Sequence, residues 1–397
     1  MPGFELFGQE ERDEVEEVLE TGVLMRYGFD AARKDRWKAR SFEQMLAKRL
    51  GVAHCHLVGS GTAALDVALN ACGIGAGDEV IVPPFTFVAT FEAILKAGAV
   101  PVFAEIDDTL CLDPSAVEAA ITERTRAVMP VHMCGAMARI DQLQHLCQQR
   151  GLTLIEDACQ ALGGTFHGKA LGTFGLTGCF SFDPVKTITC GEGGAVVTDD
   201  ARVYELAQAY ADHGHDHIGN DRGLEKHPIL GTNHRISELN AAVGVAQLRK
   251  LDTILQIQRS RKQILVSALS VVDGVRFRTI PDEAGDTATF LTFFLPDEER
   301  ARKAAAALPE AGVDGCFYWF DNNWHYIRSW DHLKRFSSPA KLPVQLLSER
   351  PDYRRLALPQ SDAVMGRAVS MLIKLGWSET ETQERAEKTM EVLRGIL

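Results

Sequence analysis

No stretch of this 397-residue chain reaches the ~18 consecutive apolar residues that a membrane-spanning helix requires, so no membrane partner is expected. Positive charge is in short supply. Lys and Arg number 42 against 54 Asp and Glu, and the net charge of −12 argues against a nucleic-acid surface or a polybasic membrane patch. The nine cysteines form no CxxC pair and no regular framework, which points to reduced structural thiols. The opening Met1-Pro-Gly-Phe-Glu5 has no basic region leading into an apolar core, so no signal peptide is read. Internal repeats and low-complexity tracts are missing as well. What remains is an acidic chain expected in the cytoplasm, and its 46% hydrophobic residues suffice for substantial cores.

Short apolar runs alternate with helical periodicity from about residue 41 to 250. Strands are expected at Ala53–Val58, Glu79–Val82, Pro101–Ala104, Ala127–Val131, Leu152–Ile155, Gly178–Phe182 and Ala195–Val197. Helices such as Thr62–Ala71, Thr86–Ala97 and Ile140–Arg150 fall between them. The succession means a large, mostly parallel sheet covered on both faces, an α/β fold. A surface helix over Glu10–Thr21 precedes it. Beyond Leu255 the pattern changes to a smaller C-terminal α+β unit, with strands at Val275–Phe277, Phe290–Phe294 and Val313–Tyr318. A closing helix there is announced by the capping pair Ser378 and Glu381. The expected domains are 1–254 and 255–397. Trp319–Arg350 shows little periodicity, and a connection that long is usually functional or mobile.

The chemistry centres on Lys186, which lies in a Gly-flanked loop downstream of Asp157. Asp157 closes an apolar run, and so sits at the carboxyl end of a strand, where open α/β sheets place ligands. That pairing suits pyridoxal phosphate: the amine forms a Schiff base with the aldehyde, and the carboxylate keeps the pyridine nitrogen protonated. A lone loop lysine is ordinarily just solvated, so the surrounding residues matter. Gly59-Ser-Gly-Thr62-Ala-Ala64 opens a helix straight after a strand and makes a phosphate seat. The same letters also fit the dinucleotide fingerprint GxGxxA. Phe87 is placed to stack on a flat ring, and Gln160 to donate to a ring oxygen. Their plainer readings are a core phenylalanine and a capping glutamine. His213, His215 and His217 look like metal ligands, yet nothing nearby completes a set, so no metal is expected. Arg26, Arg33, Arg36, Lys38 and Arg40 form a basic cluster that is either a solvated face or a trap for an anionic substrate. Trp324 and its aromatic neighbours either pack their own loop or meet a sugar.

Together, Ser60-Gly-Thr-Ala-Ala-Leu65, Val82-Pro-Pro-Phe-Thr-Phe87, Glu156-Asp-Ala-Cys-Gln160, Phe180-Ser-Phe182 with Lys186, Gly191-Glu-Gly-Gly194 and Asn233-His-Arg235 resemble the DegT/DnrJ/EryC1/StrS sugar aminotransferases. These are a branch of the fold type I, aspartate aminotransferase-like pyridoxal phosphate enzymes. The resemblance implies Lys186 as the Schiff-base lysine and Asp157 as the ring-nitrogen partner. It implies Phe87 stacked on the ring, Gln160 on the ring oxygen, and Ser60, Gly61, Thr62 and Ser181 around the phosphate. Asn233 would reach the phosphate of a neighbouring subunit, which implies a homodimer with shared active sites. A dehydratase branch carries His at the lysine position, and Lys186 argues against it.

Further blocks, among them Arg26-Tyr-Gly-Phe-Asp30, Val131-His-Met-Cys-Gly135, His213-Gly-His-Asp-His217 and Asn322-Asn-Trp-His325, resemble the members that aminate an octulosonic acid. Glutamate as donor and a sugar-acid aldehyde as acceptor are then implied. Arg26, Arg36, His215, His217 and Trp324 become the expected substrate contacts. A nucleotide-linked keto-sugar acceptor and a non-catalytic, cofactor-binding regulator remain as alternatives.

Overall fold

In the computed structural model, which describes residues 3–219 and 222–397, the apolar runs pair into one large sheet. In chain order the strands are β1 (His54–Val58), β2 (Glu79–Val82), β3 (Val100–Phe103), β4 (Thr125–Val128) and β5 (Thr153–Asp157). A small hairpin of β6 (Thr165–Phe166) and β7 (Lys169–Ala170) intervenes before β8 (Thr177–Ser181) and β9 (Gly194–Thr198). The large sheet runs β1-β9-β8-β5-β4-β2-β3. Neighbours from β8 through β5, β4 and β2 to β3 are parallel, whereas β9 is antiparallel to both β1 and β8. The exception has a simple cause. A parallel return needs a crossover of a dozen or more residues, usually helical, and the link from Ser181 to Gly194 forms no helix. It stays at the carboxyl edge of the sheet and carries Lys186 there.

Both faces of this sheet are covered, and β2, β8 and β9 are buried along their whole length. The helix Gly61–Ala71 buries nearly every residue, and Leu65, Leu69 and Val67 pack into the core that holds Val80, Ile81 and Val128. No described helix is long and apolar enough to cross a membrane.

A second, antiparallel sheet has the order β10-β11-β13-β12, from β10 (Arg276–Phe277), β11 (Phe290–Phe294), β12 (Cys316–Phe317) and β13 (Ala368–Leu372). Helices Leu251–Leu269, Glu298–Glu310 and Glu379–Ile396 close its core through Leu265, Leu269, Leu308 and Leu393. The last helix begins with the expected reciprocal cap. Ser378 N–H donates to Glu381 Oε2 at 2.7 Å, and Glu381 N–H donates to Ser378 Oγ at 3.1 Å. The strand expected over Val313–Tyr318 contracts to β12, because Gly315 takes a φ of 69° and turns the chain into the sheet edge.

Residues Trp319–Arg350 carry only short helices and turns. Their aromatic side chains are nonetheless well placed. Tyr326 and Trp330, with Tyr353 just beyond the segment, are buried in the core of the large sheet rather than the small one. Tyr353 donates its hydroxyl hydrogen to the Pro101 carbonyl on edge strand β3 at 2.7 Å. This returning segment ties the C-terminal half to the large sheet and brings Trp324 and His325 over its carboxyl edge.

Candidate active site

The turns that follow β1, β2, β5 and β8 converge on a cavity of about 110 Å³. Ser60, Gly61, Thr62, Phe87, Asp157, Gln160, Ser181 and Lys186 all line it, beside Thr86, Thr90, Cys159, Asp183 and Glu192. Asp157 ends β5 and Ser181 ends β8, which are hydrogen-bonded neighbours in the sheet.

One side of the cavity is built for an anion. Ser60 caps the helix Gly61–Ala71, its Oγ accepting from the Ala63 N–H at 3.1 Å. The first helical N–H groups have no intrahelical acceptor and present the positive end of the helix dipole. Gly61 lets the turn lie against β8: a Cβ there would sit 2.6 Å from Ser181 Cβ. Gly194 does the same from β9, where a Cβ would lie 2.2 Å from the Ser60 carbonyl oxygen. Gly61→Ala is therefore expected to push Ser181 away and weaken phosphate binding by about 10–100-fold, the worth of one or two charge-assisted hydrogen bonds. Equilibrium titration of the apoprotein with pyridoxal phosphate measures it.

The remaining residues suit a cationic ring. Asp157 is 4% exposed, and its carboxylate accepts from Thr90 Oγ at 2.8 Å and from the Cys159 N–H at 3.1 Å. Thr90 in turn shares a 2.6 Å bond with Thr86. Among the described residues Asp157 makes no ion pair, and a buried carboxylate without a counter-charge is costly unless a ligand brings one. A protonated pyridine nitrogen is such a counter-charge. Gln160 accepts from the Cys134 N–H through Oε1 at 3.0 Å, which commits its carbonyl and leaves its NH₂ for the cavity. Burial, with Asp157 adding to it, holds the Cys159 thiol well above its usual range, so it does not compete with the lysine as a nucleophile.

Asp157 is itself held in place. Its carbonyl accepts from the His132 N–H at 3.0 Å, and its N–H donates to the Pro130 carbonyl at 2.9 Å. The preceding Glu156 is fully buried on the other side of the strand. One of its oxygens accepts from the N–H groups of Phe174 and Gly175, the other from the Gly172 N–H and from His132 Nε2. Lys186 is 8% exposed, with Nζ 3.8 Å from Asp183 Oδ2 and 5.9 Å from the centroid of Phe87.

The chain from Asn322 to Tyr326 forms a roof beside this ring. Thr86 N–H donates to the His325 carbonyl and Val88 N–H to the Trp324 carbonyl, both at 3.0 Å. Trp324 stacks parallel to Phe87 with centroids 5.6 Å apart. His325 packs on Phe87 and Trp319 and bonds Asn322 at 2.9 Å through Nδ1. Burial first, and the Lys186 charge second, push His325 down to about 4, so it is neutral at pH 7. Thr90, Asp183 and His325 were not singled out from sequence. Thr90 follows Phe87 by one helical turn, a spacing that was there to be read.

The other expected substrate residues lie elsewhere in the chain. Arg26 is buried and donates to the Leu57 carbonyl at 2.8 Å and to Glu43 at 2.7 Å. Arg36 pairs with Glu20 on the surface and donates to the Glu17 carbonyl at 2.9 Å. Arg33 and Lys38 are engaged too, with Glu238 and with Glu14 and Glu17. Four members of the basic cluster thus neutralise acidic neighbours of their own chain, Arg40 lies over the Trp37 ring, and neither Arg26 nor Arg36 lines the cavity. His215 sits 2.9 Å from Glu225, and His217 packs on Tyr27, 3.6 Å from Asp212. No described group of three or more His, Cys, Asp or Glu side chains is arranged to hold a metal ion. Asn233 is exposed outside the cavity, although the adjoining His234 carbonyl accepts from the Gly59 N–H of the phosphate turn at 2.8 Å.

A strand-end carboxylate, a loop lysine and a helix-capped anion seat on a mostly parallel sheet define a fold type I pyridoxal phosphate transferase. The chain matches the DegT/DnrJ/EryC1/StrS aminotransferase family over residues 6–374. It belongs to that family, and its cofactor is pyridoxal phosphate.

Among curated relatives, the L-glutamine:2-deoxy-scyllo-inosose aminotransferase of Streptomyces paromomycinus is 42% identical over 68% of this chain. The match spans 66% of that relative, just under two thirds of its length. The L-glutamine:scyllo-inosose aminotransferase of Streptomyces griseus is 42% identical over 90% of this chain and 85% of its own. The crystal structure of 3-amino-5-hydroxybenzoic acid synthase superposes with a TM-score of 0.82 at 32% identity, covering 98% of both chains.

Proposed function

We propose that this chain is a cytoplasmic, homodimeric aminotransferase that moves the amino group of glutamate to the C8 aldehyde of 3,8-dideoxy-8-oxo-manno-octulosonate. The product is 8-amino-3,8-dideoxy-manno-octulosonate for lipopolysaccharide. The observation that carries the transfer chemistry is the shared cavity of Lys186 and Asp157. Pyridoxal phosphate, when bound, supplies an aldehyde that captures the donor amine and a ring that takes up the electron pair left at the donor's Cα. Asp157 keeps a proton on the ring nitrogen and so deepens that sink. Thr90 and the Cys159 N–H hold the carboxylate in register. Phe87, backed by Trp324, confines the ring from one face. With the cofactor bound, the Lys186 amine would be the group that takes the proton from the donor's Cα and holds it beside the ring for return, and the same amine would serve the sugar half of the transfer.

Two features support a homodimer. Asn233 is exposed beside the phosphate turn rather than inside the cavity, and the apolar side chains of Phe29, Ile218, Leu224 and Leu230 stand exposed. In the dimer, the stretch bearing His215, His217 and Asn233 covers the other subunit's cavity. The acceptor's carboxylate then finds its partners across the interface, because among the described residues Lys186 is the sole lysine or arginine in the cavity lining. The octulosonate assignment rests on the blocks around Arg26, Val131, His213 and Asn322.

The test offers purified holoenzyme glutamate or glutamine together with the 8-oxo-octulosonate, nucleotide-linked keto-sugars or scyllo-inosose. Products are read by mass. Amination of the octulosonate with glutamate, at least about tenfold faster than of the others, is the expected result; each tenfold corresponds to about 1.4 kcal/mol of discrimination. Preference for a nucleotide-linked sugar or a cyclitol would replace the acceptor. A protein that bleaches with glutamate yet aminates nothing would be a cofactor-binding regulator.

A further inference from the structure

We propose that Asp183 is a positioning residue for the Lys186 amine, an inference that rests on the aminotransferase reading above. Asp183 opens the turn Asp183-Pro-Val-Lys186. Its Oδ1 accepts from the Val185 N–H at 2.8 Å, and its carbonyl accepts from the Lys186 N–H at 3.1 Å. The first bond holds the side chain and the second closes the turn, leaving the other carboxylate oxygen, Oδ2, 3.8 Å from Lys186 Nζ. No other ion pair is drawn by that amine among the described residues. The ring of Phe87 lies beyond it, with its centroid 5.9 Å from Nζ. The amine is therefore held between an aromatic face and an anion that its own backbone turn anchors. The other cavity carboxylates are differently employed: Asp157 is engaged by Thr90 and Cys159, and Glu192 is exposed.

An anchored anion has a specific use in this reaction. The incoming donor displaces the lysine, and a freed lysine side chain has four rotatable bonds and a strong affinity for water. Proton transfer needs it within hydrogen-bond reach of the donor's Cα, because orientation supplies much of the rate. The Cα–H bond breaks and its proton joins the amine nitrogen. The resulting ammonium delivers a proton to C4′ and regains its starting charge, so the balance closes without a co-reactant. Asp183 stabilises the ammonium between the two transfers and keeps it from swinging into solvent. A negative charge already fixed by the loop pays little ordering entropy for this, unlike two mobile surface side chains.

Asp183→Asn separates this role from loop structure. Its amide oxygen still accepts from the Val185 N–H, while Oδ2 is replaced by an NH₂ that cannot accept from an ammonium. The measurement is stopped-flow loss of the cofactor's visible absorbance in holoenzyme, driven by protiated or 2-deuterated glutamate. We expect unchanged cofactor content, a limiting rate lower by about 10–100-fold, and half-saturation altered less than about threefold. The deuterium effect on the limiting rate should rise, because proton transfer becomes slower than the surrounding steps. Asp183→Glu should recover part of the rate. A variant within twofold of the unaltered enzyme with the same deuterium effect overturns the proposal, and so does a loss confined to cofactor retention or half-saturation. Unaltered protein that bleaches with no amino donor would instead overturn the aminotransferase reading itself.

Discussion

Lys186→Ala should end amino transfer, with turnover falling by at least about 10⁴-fold, the upper range for a single general acid–base group. In the proposed mechanism the substitution removes two functions at once: the nitrogen that holds the cofactor aldehyde, and the base that moves the proton. Phosphate contacts survive it. The helix turn at Ser60–Thr62 and the end of β8 at Ser181 do not depend on the lysine side chain. The variant should therefore still bind the cofactor, more weakly and without the covalent bond. Mass spectrometry of aminated sugar, with cofactor content measured on the same sample, checks both parts. Turnover within a hundredfold of the unaltered enzyme would place the reacting amine elsewhere.

The second large effect belongs to Asp157. Breaking a buried charge pair costs about 3–5 kcal/mol. Without the carboxylate the ring nitrogen would lose its proton and accept the electron pair less well, and a penalty of that size carried into the transition state slows the glutamate half-reaction of Asp157→Asn by roughly 10²- to 10⁴-fold. The amide retains an oxygen for the Cys159 N–H and can donate to Thr90, whose hydroxyl already bonds Thr86. Stability should change little for that reason. Stopped-flow absorbance reads the rate and thermal unfolding controls for the fold. A rate loss that tracks a lowered melting temperature would reduce Asp157 to a structural residue.

The parallel sheet and the carboxylate–lysine pair were legible because they rest on local signals. Strand runs, the Ser60–Thr62 cap and the glycines beside Lys186 each declare themselves within a few residues. The antiparallel β9 was not, since its direction follows from the missing crossover helix. The basic cluster misled for a different reason. Arg26 finds Glu43, and Lys38 finds Glu14 and Glu17, only once the N-terminal helices pack together, and composition cannot say which charges will meet. Asp183 gave no signal in the sequence, because its contact with Lys186 depends on the turn geometry. His215, His217 and Asn233 are hardest of all, as their proposed task lies on a second chain.

Glu156 and Asp157 are sequence neighbours with opposite placements, one riveting the loop at Gly172–Gly175, the other lining the cavity proposed for the cofactor. A β-strand alternates its side chains, so parity along β5 decides which acid reaches which side. Point replacements upstream of this dipeptide leave that parity intact. Losing or gaining one residue between Gly151 and Ile155 would transpose the two acids, leaving the rivet without its anion and the catalytic chamber with the wrong one. Sequence length in that interval is thus as much a part of the enzyme's chemistry as the identity of its acids.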